Sequence, residues 1–221
     1  MTGSALPPLP SPGKPAGATE LTLTPIGGQA PLRADAARNR TRLLEAASEL
    51  LAGCGAAQLT MDAVASAAGV GKGTVFRRFG DRTGLLVALL DHSEQQFQAA
   101  FLTGPAPLGP DAPPLERLHA FGPAAIRHER NHHELVLSSR TDPLRAYAVP
   151  ASRLRLTHVT LLLRQAGVAG DAELLAHALL GSIDGVLVHH LTVELGMPLD
   201  RVEAGWHDLV TRLTADPPSA A

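Results

Sequence analysis

Residues 61–82, MDAVASAAGVGKGTVFRRFGDR, constrain the fold more than any other part of the chain. Small and apolar residues recur there at the spacings of two short helices crossing at a tight turn. Such a crossing needs a small residue where the backbones approach, a glycine in the turn, and buried apolar residues on both sides. Ala65 is the close-approach residue, Gly69 permits the turn, and Val64, Ala68, Val70 and Val75 supply the apolar anchors. The segment therefore predicts a helix-turn-helix, with Thr60 as N-cap of its first helix and GKGTVFRRF as its second. One position departs from the pattern: the last buried site falls on Arg78, and Phe79 substitutes from the next position.

Gly71-Lys72-Gly73-Thr74 also looks like the end of a phosphate-cradling loop, which would make the chain a nucleotide-binding enzyme. That loop works because successive backbone N–H groups close around phosphates at the end of a buried strand. Here the position of its leading glycine is Ser66, and the preceding MDAVASAA is helical in character. A third reading, a merely solvated basic helix, leaves the apolar spacing unexplained.

The rest of the chain is organised around helices. Leu43/Leu44, Ala47 and Leu50/Leu51 repeat at helical spacing before Gly53 and Gly55. Asp81 caps a further helix with Leu85, Leu86, Leu89, Leu90, Phe97 and Phe101 at i, i+3/i+4 steps. Seven of the eighteen prolines fall within the first 31 residues, and five more within TGPAPLGPDAPP (103–114). The expected organisation is a disordered tail (1–32), a DNA-binding domain (33–82), a larger helical domain (83–214) containing the linker 103–114, and a short tail (215–221). In the larger domain, 115–140 reads as a helix punctuated by Pro123 and interrupted near Asn131. Pro150 opens a helix to about Gln165, Asp171 a long one to about Leu195, and Asp200 the last. Aromatic residues are 3% and alternating β-branched runs are absent, so the expected class is all-α.

The net charge of −2 is unevenly spread. Residues 31–90 hold eight Lys/Arg and five Asp/Glu, whereas 91–221 hold ten and fifteen. A basic front and an acidic rear suit a protein that meets phosphate with one domain only. The single cysteine, Cys54, excludes an internal disulfide framework. The N-terminus lacks the pattern of a signal peptide, and no unbroken apolar run approaches the ~18 residues of a membrane span. A cytoplasmic location is expected.

Residues 40–90 as a whole resemble the DNA-binding domain of the TetR family of transcriptional regulators: a glycine ending the first helix, a Thr-led second helix, an AGV turn, and a KGT-aromatic recognition helix. The resemblance implies a homodimer on a palindromic operator, released by a small molecule that shifts the fourth helix. It implies DNA contacts by Arg42, Thr60, Gly71, Lys72, Gly73, Thr74, Phe76, Arg77, Arg78 and Arg82. Thr60 offers its hydroxyl to phosphate, Lys72 meets phosphate or a base edge, Gly73 gives clearance in the major groove, and Thr74 and Arg77 reach bases. Phe76 stands where the family has tyrosine, Arg78 where it has histidine, Arg82 where it has lysine and Gly71 where it has serine.

The resemblance also implies a ligand pocket, with Phe97, Phe101, Leu118, His119, Phe121, His158 and Leu162 as its expected lining, suited to a small apolar or weakly acidic molecule. It implies a four-helix dimer interface built from Leu175, Leu179, Val186 and His190 on one helix and Val202, Trp206, Leu209 and Leu213 on the next, with Gly181 and Gly185 allowing close approach. Ten histidines include the i, i+4 pair His128/His132, but the expected break at Asn131 separates their faces, and no metal site or cofactor is expected. No nucleophile elbow accompanies the scattered Ser, His and Asp residues, so no catalytic activity is expected either.

Overall fold

The computed structural model describes residues 29–139 and 150–215, with side-chain detail outside 29–34, 57 and 133–139. The chain divides into two units, Met1–Arg38 and Asn39–Ala221. In the first, the described part is the opening of helix α1, where Arg38 and Asp35 form an exposed i, i+3 ion pair. All that follows concerns the second.

Among the described residues every regular element is helical and there is no strand, as the composition implied. They are α1 (Gln29–Cys54), α2 (Met61–Ala67), α3 (Lys72–Phe79), α4 (Arg82–Thr103), α5 (Pro114–Ser139), α6 (Pro150–Gln165), α7 (Ala172–Gly181), α8 (Gly185–His189) and α9 (Leu199–Thr214), with a 3-10 turn at Ala56–Gln58 and a π turn at His190–Glu194. Residues 1–28 and the second tail from 216 lie outside the described residues.

Side-chain caps fix the starts. Thr60 Oγ1 accepts the Ala63 N–H at 3.1 Å, Asp81 Oδ1 accepts Gly84 at 2.8 Å, and Asp171 Oδ1 accepts both Glu173 and Leu174. α2 ends where Gly69 takes φ +65°, a left-handed conformation that side chains with Cβ resist, and Val70 N–H returns to the Ala65 carbonyl at 2.9 Å. That closure makes the turn tight enough for α3 to cross α2.

Two separate apolar cores result. Leu43, Leu44, Ala47, Leu59, Met61, Val64, Ala65, Val75 and Phe79 pack with Leu85, Leu86, Ala88 and Leu89 of α4 under the helix-turn-helix. Phe97 and Phe101, further along α4, belong to a second core with α5, α6, α7, α8 and α9. Trp206 of α9 lies at its centre, donating from Nε1 to the Leu118 carbonyl at 2.9 Å. A Cβ on Gly122 would stand 2.1 Å from the Trp206 ring, so α5 admits the indole only because residue 122 is glycine.

Two expectations need correction. α5 runs unbroken through Asn131, because tertiary packing outweighs the weak helix preference of one residue, and this brings His128 and His132 together with ring centroids 4.7 Å apart. The long helix expected from Asp171 breaks at Ser182–Asp184, where Asp184 accepts the Val186 N–H and caps a new helix.

Candidate DNA-binding surface

α3 turns Val75 and Phe79 inward and leaves Lys72, Phe76, Arg77 and Arg78 exposed. Phe79, not Arg78, fills the last buried position, and the Arg40 guanidinium lies 5.9 Å from its ring centroid. Thr74 is half-buried. Gly71 caps α3 with extended backbone and no side-chain hydrogen bond. Neither at Gly71 nor at Gly73 would a Cβ meet anything within 4 Å, so the start of α3 offers bare, approachable backbone. Phe76 is 40% exposed and its ring centroid lies 5.6 Å from Lys72 Nζ, within cation–π range.

Around this helix, Arg42 is exposed on α1 next to the buried Leu43 and Leu44. Thr60 uses an acceptor lone pair in capping α2 and keeps its hydroxyl proton for donation. Two residues behave in ways the sequence does not reveal. Lys72 Nζ sits 2.7 Å from Asp62 Oδ2 in the first turn of α2, with both side chains about three-fifths exposed (60% and 62%). Arg82 donates from Nε to the Leu59 carbonyl at 3.0 Å and from Nη2 to the Ala56 carbonyl at 2.6 Å. It ties the start of α4 to the loop between α1 and α2 and so sets the frame in which α3 is held. The sequence carried no signal for this, since its partners are main-chain atoms 23 and 26 residues away.

The residues expected to line a ligand pocket are mostly packed against one another. Phe97, Phe101, Leu118, Phe121 and Leu162 belong to the second core, with Phe97–Phe101 and Phe101–Phe121 meeting edge-on at 5.2 and 5.5 Å. His158 lies against Phe101 and Phe121; burial first, and then the Arg117 charge, push its pKa down to about 4. His119 is apart from them, its Nδ1 3.0 Å from that of His207.

The expected dimer residues also divide. Leu179, Val202 and Trp206 are buried within this chain, and Leu175 and Leu213 pack half-buried on the same core. The stripe on α9 faces inward because Val202, Trp206 and Val210 close the chain's own core. Val186, His190 and Leu209 remain exposed, and with them Leu174, Leu187, Val193 and Leu195. Gly185 is approached by α5 of the same chain, whose Glu129 carboxylate occupies the space a Cβ would take.

Beside the second core lies an ionic cluster the sequence did not announce. The Arg155 guanidinium bridges Glu94 and Glu129, and His128 Nε2 donates to Glu94 at 3.1 Å. Burial by itself raises the Glu94 carboxyl, but the His128 hydrogen bond and the Arg155 charge outweigh it and hold the group at about 2. Ser93 Oγ is 2.7 Å from Nε2 of His132, whose Nδ1 donates to the His128 carbonyl at 2.7 Å.

The fold is shared with solved regulators. A transcriptional regulator from Saccharomonospora viridis, solved with choline, is 24% identical, with 79% of this chain and 96% of that one covered at a TM-score of 0.61. SCO4454, a TetR-family regulator from Streptomyces coelicolor, is 20% identical over 85% and 98% of the two chains, TM-score 0.53. SmeT, the repressor of the SmeDEF multidrug efflux pump of Stenotrophomonas maltophilia, is 20% identical over 78% and 88%, TM-score 0.52, and has also been solved with triclosan. No curated protein sequence matches the chain. These likenesses establish the fold alone. Residues 43–89, which include the whole of the turn and α3, match the model of the tetR family of bacterial regulatory proteins.

Proposed function

We propose that the protein is a homodimeric repressor that binds a palindromic operator through α3 and leaves it when a small molecule binds the C-terminal helices. The observation that carries this reading is the two-sidedness of α3: Val75 and Phe79 are buried, while Lys72, Phe76, Arg77 and Arg78 stand together on the open face beside uncovered backbone at Gly71 and Gly73. Phosphate contacts from Thr60, Arg42, Lys72 and Arg78 supply affinity, and sequence choice rests on Lys72, Thr74 and Arg77. Arg82 acts as a positioning residue through its two carbonyl bonds.

The partner in the dimer is a second copy of the chain, apposed through the exposed apolar residues Leu174, Val186, Leu187 and Leu209. Two-fold pairing places two recognition helices about 34 Å apart, one turn of duplex. Relatives of the same fold hold choline and triclosan, which supports control by a small ligand. The reading has no catalytic step and places the protein in the cytoplasm with the chromosome.

Selection of bound sequences from a random duplex pool tests it. The expected product is a two-fold symmetric site whose binding weakens steeply with salt. No enriched sequence, or saturable ATP binding abolished by Lys72→Ala, would overturn it in favour of a nucleotide-binding enzyme.

A further inference from the structure

The two cores share α4, and the helix changes character between them. Leu85, Leu86, Ala88 and Leu89 belong to the first core and Phe97 and Phe101 to the second, while the intervening residues 91–96 read DHSEQQ. A polar girdle thus separates the DNA-binding half from the C-terminal half. On one side of that girdle is the Glu94–Arg155–Glu129 cluster, beside a cavity of about 130 Å³. Its guanidinium already holds two carboxylates of the same chain. On the other side is a cleft of about 550 Å³, a volume in the range of small-ligand sites.

The cleft has one wall in each half of the molecule. Leu51 and Ala52 of α1 form the first; Arg130 and His132 of α5, with Val193 of the π turn, form the second. Ser93 and Gln96 of α4 also line the cleft. Arg130 is the charged member of this lining, and among the described residues that line it there is no carboxylate to neutralise it. The amide of Gln96 supplies a further donor, and Leu51, Ala52 and Val193 supply an apolar side. A π turn is a local departure from regular helix that recurs at functional sites, and Val193 of this one lines the cleft.

We propose that this cleft binds a small organic carboxylate, and that its occupancy sets the position of α1 relative to α5 and thereby operator affinity. The carboxylate pairs with Arg130 and accepts from Gln96, and its hydrocarbon part rests on Leu51, Ala52 and Val193. The site is distinct from the aromatic core that the sequence suggested as a pocket. It rests on the reading of the chain as an effector-responsive regulator: a ligand touching both halves has different contacts in states that differ in their relative position, which is what a shift in population requires.

The test uses the full chain with benzoate and hexanoate as probes and with benzamide and hexanamide as uncharged counterparts. Binding is followed by ligand-observed NMR without DNA, and duplex affinity by fluorescence anisotropy on the selected operator. Arg130→Gln removes the charge, and Ala52→Trp fills the cleft from an exposed position; circular dichroism checks that both fold. The carboxylates should bind the wild type about tenfold or more tightly than the amides, and Arg130→Gln should erase that preference. Ala52→Trp should abolish binding, and either carboxylate should weaken the operator complex of the wild type alone. Equal binding of amides and carboxylates, unchanged binding by either variant, or no binding of either carboxylate overturns the proposal. Operator binding that persists without carboxylate binding leaves the repressor reading standing and this site refuted. Carboxylate binding by a chain that selects no operator refutes the repressor reading and the coupling together.

Discussion

The core under the helix-turn-helix is aliphatic except for Phe79, whereas the C-terminal core gathers Phe97, Phe101, Phe121 and Trp206 and carries an ionic cluster at its margin. The first needs residues of the right size at the right spacing. Its contacts join α1 to α4 within about 50 residues, so local pattern specifies it. The second depends on particular shapes and on charges brought together from far along the chain, with Trp206 reaching a carbonyl 88 residues away and Arg155 a carboxylate 61 residues away. A core of the first kind tolerates volume-conserving exchange, and one of the second kind is expected to fail at single positions.

The sharpest way to break this contrast is Trp206→Ala. It deletes the largest buried side chain and a buried donor, leaves the space over Gly122 empty, and should cost about 3–5 kcal/mol in denaturant unfolding. A loss below about 1 kcal/mol would mean that this core collapses around the gap as readily as an aliphatic one. Arg155→Met comes next. It leaves Glu94 and Glu129 facing each other without their shared cation, which should cost about 3–5 kcal/mol at neutral pH. Most of that loss should disappear in Arg155→Met with Glu94→Gln and Glu129→Gln, since the damage lies in unpaired charge and not in lost volume.

Acid should act on the C-terminal core first. His158 takes its proton near pH 4 in the folded chain against 6.5 ordinarily, so between those values the unfolded chain binds the extra proton. Stability therefore falls as pH drops from 6.5 toward 4. Glu94, held at about 2 against 4.5, extends the loss from pH 4.5 downward for the same reason. His158→Phe should flatten the upper part of the decline, by on the order of 1–3 kcal/mol between pH 7 and 4. A pH profile unchanged by that substitution would show that the histidine is not kept neutral by its aromatic surroundings.

The same division explains what the sequence made legible. Helix periodicity, Asp and Thr caps and the Gly69 turn are short-range signals, and α2, α3 and the start of α4 follow them closely. Pro150 and Gln165 bound α6 for the same reason. The stripe Val202–Trp206–Leu213 was equally visible as a stripe, yet periodicity gives a helix's apolar face without saying whether its own chain or another covers it. Asn131 suggested a break because local preference is all that a sequence window holds. Arg82 gave no clue to its carbonyl partners, and Asp62 none to Lys72, because both pairings arise from how α2, α3 and α4 are placed in space.

The smallest expected effect on stability is the largest expected effect on DNA binding, and it concerns that last pair. Lys72 and Asp62 are both well exposed, so their ion pair contributes only about 0–1 kcal/mol to folding. Lys72→Ala and Asp62→Ala should both unfold within about that margin of the wild type. Toward DNA they should part. Lys72→Ala removes a cation from the recognition face and should weaken operator binding while reducing the salt slope by about one charge. Asp62→Ala frees the same ammonium from an internal competitor and removes a negative charge from the approach to phosphate, so it should tighten binding. In the double variant the tightening should shrink to the part due to the removed negative charge, because there is no ammonium left to free. If Asp62→Ala strengthens binding equally with and without Lys72, the carboxylate acts only as a repulsive charge, and the exchange of Asp62 for phosphate on Lys72 is not part of recognition.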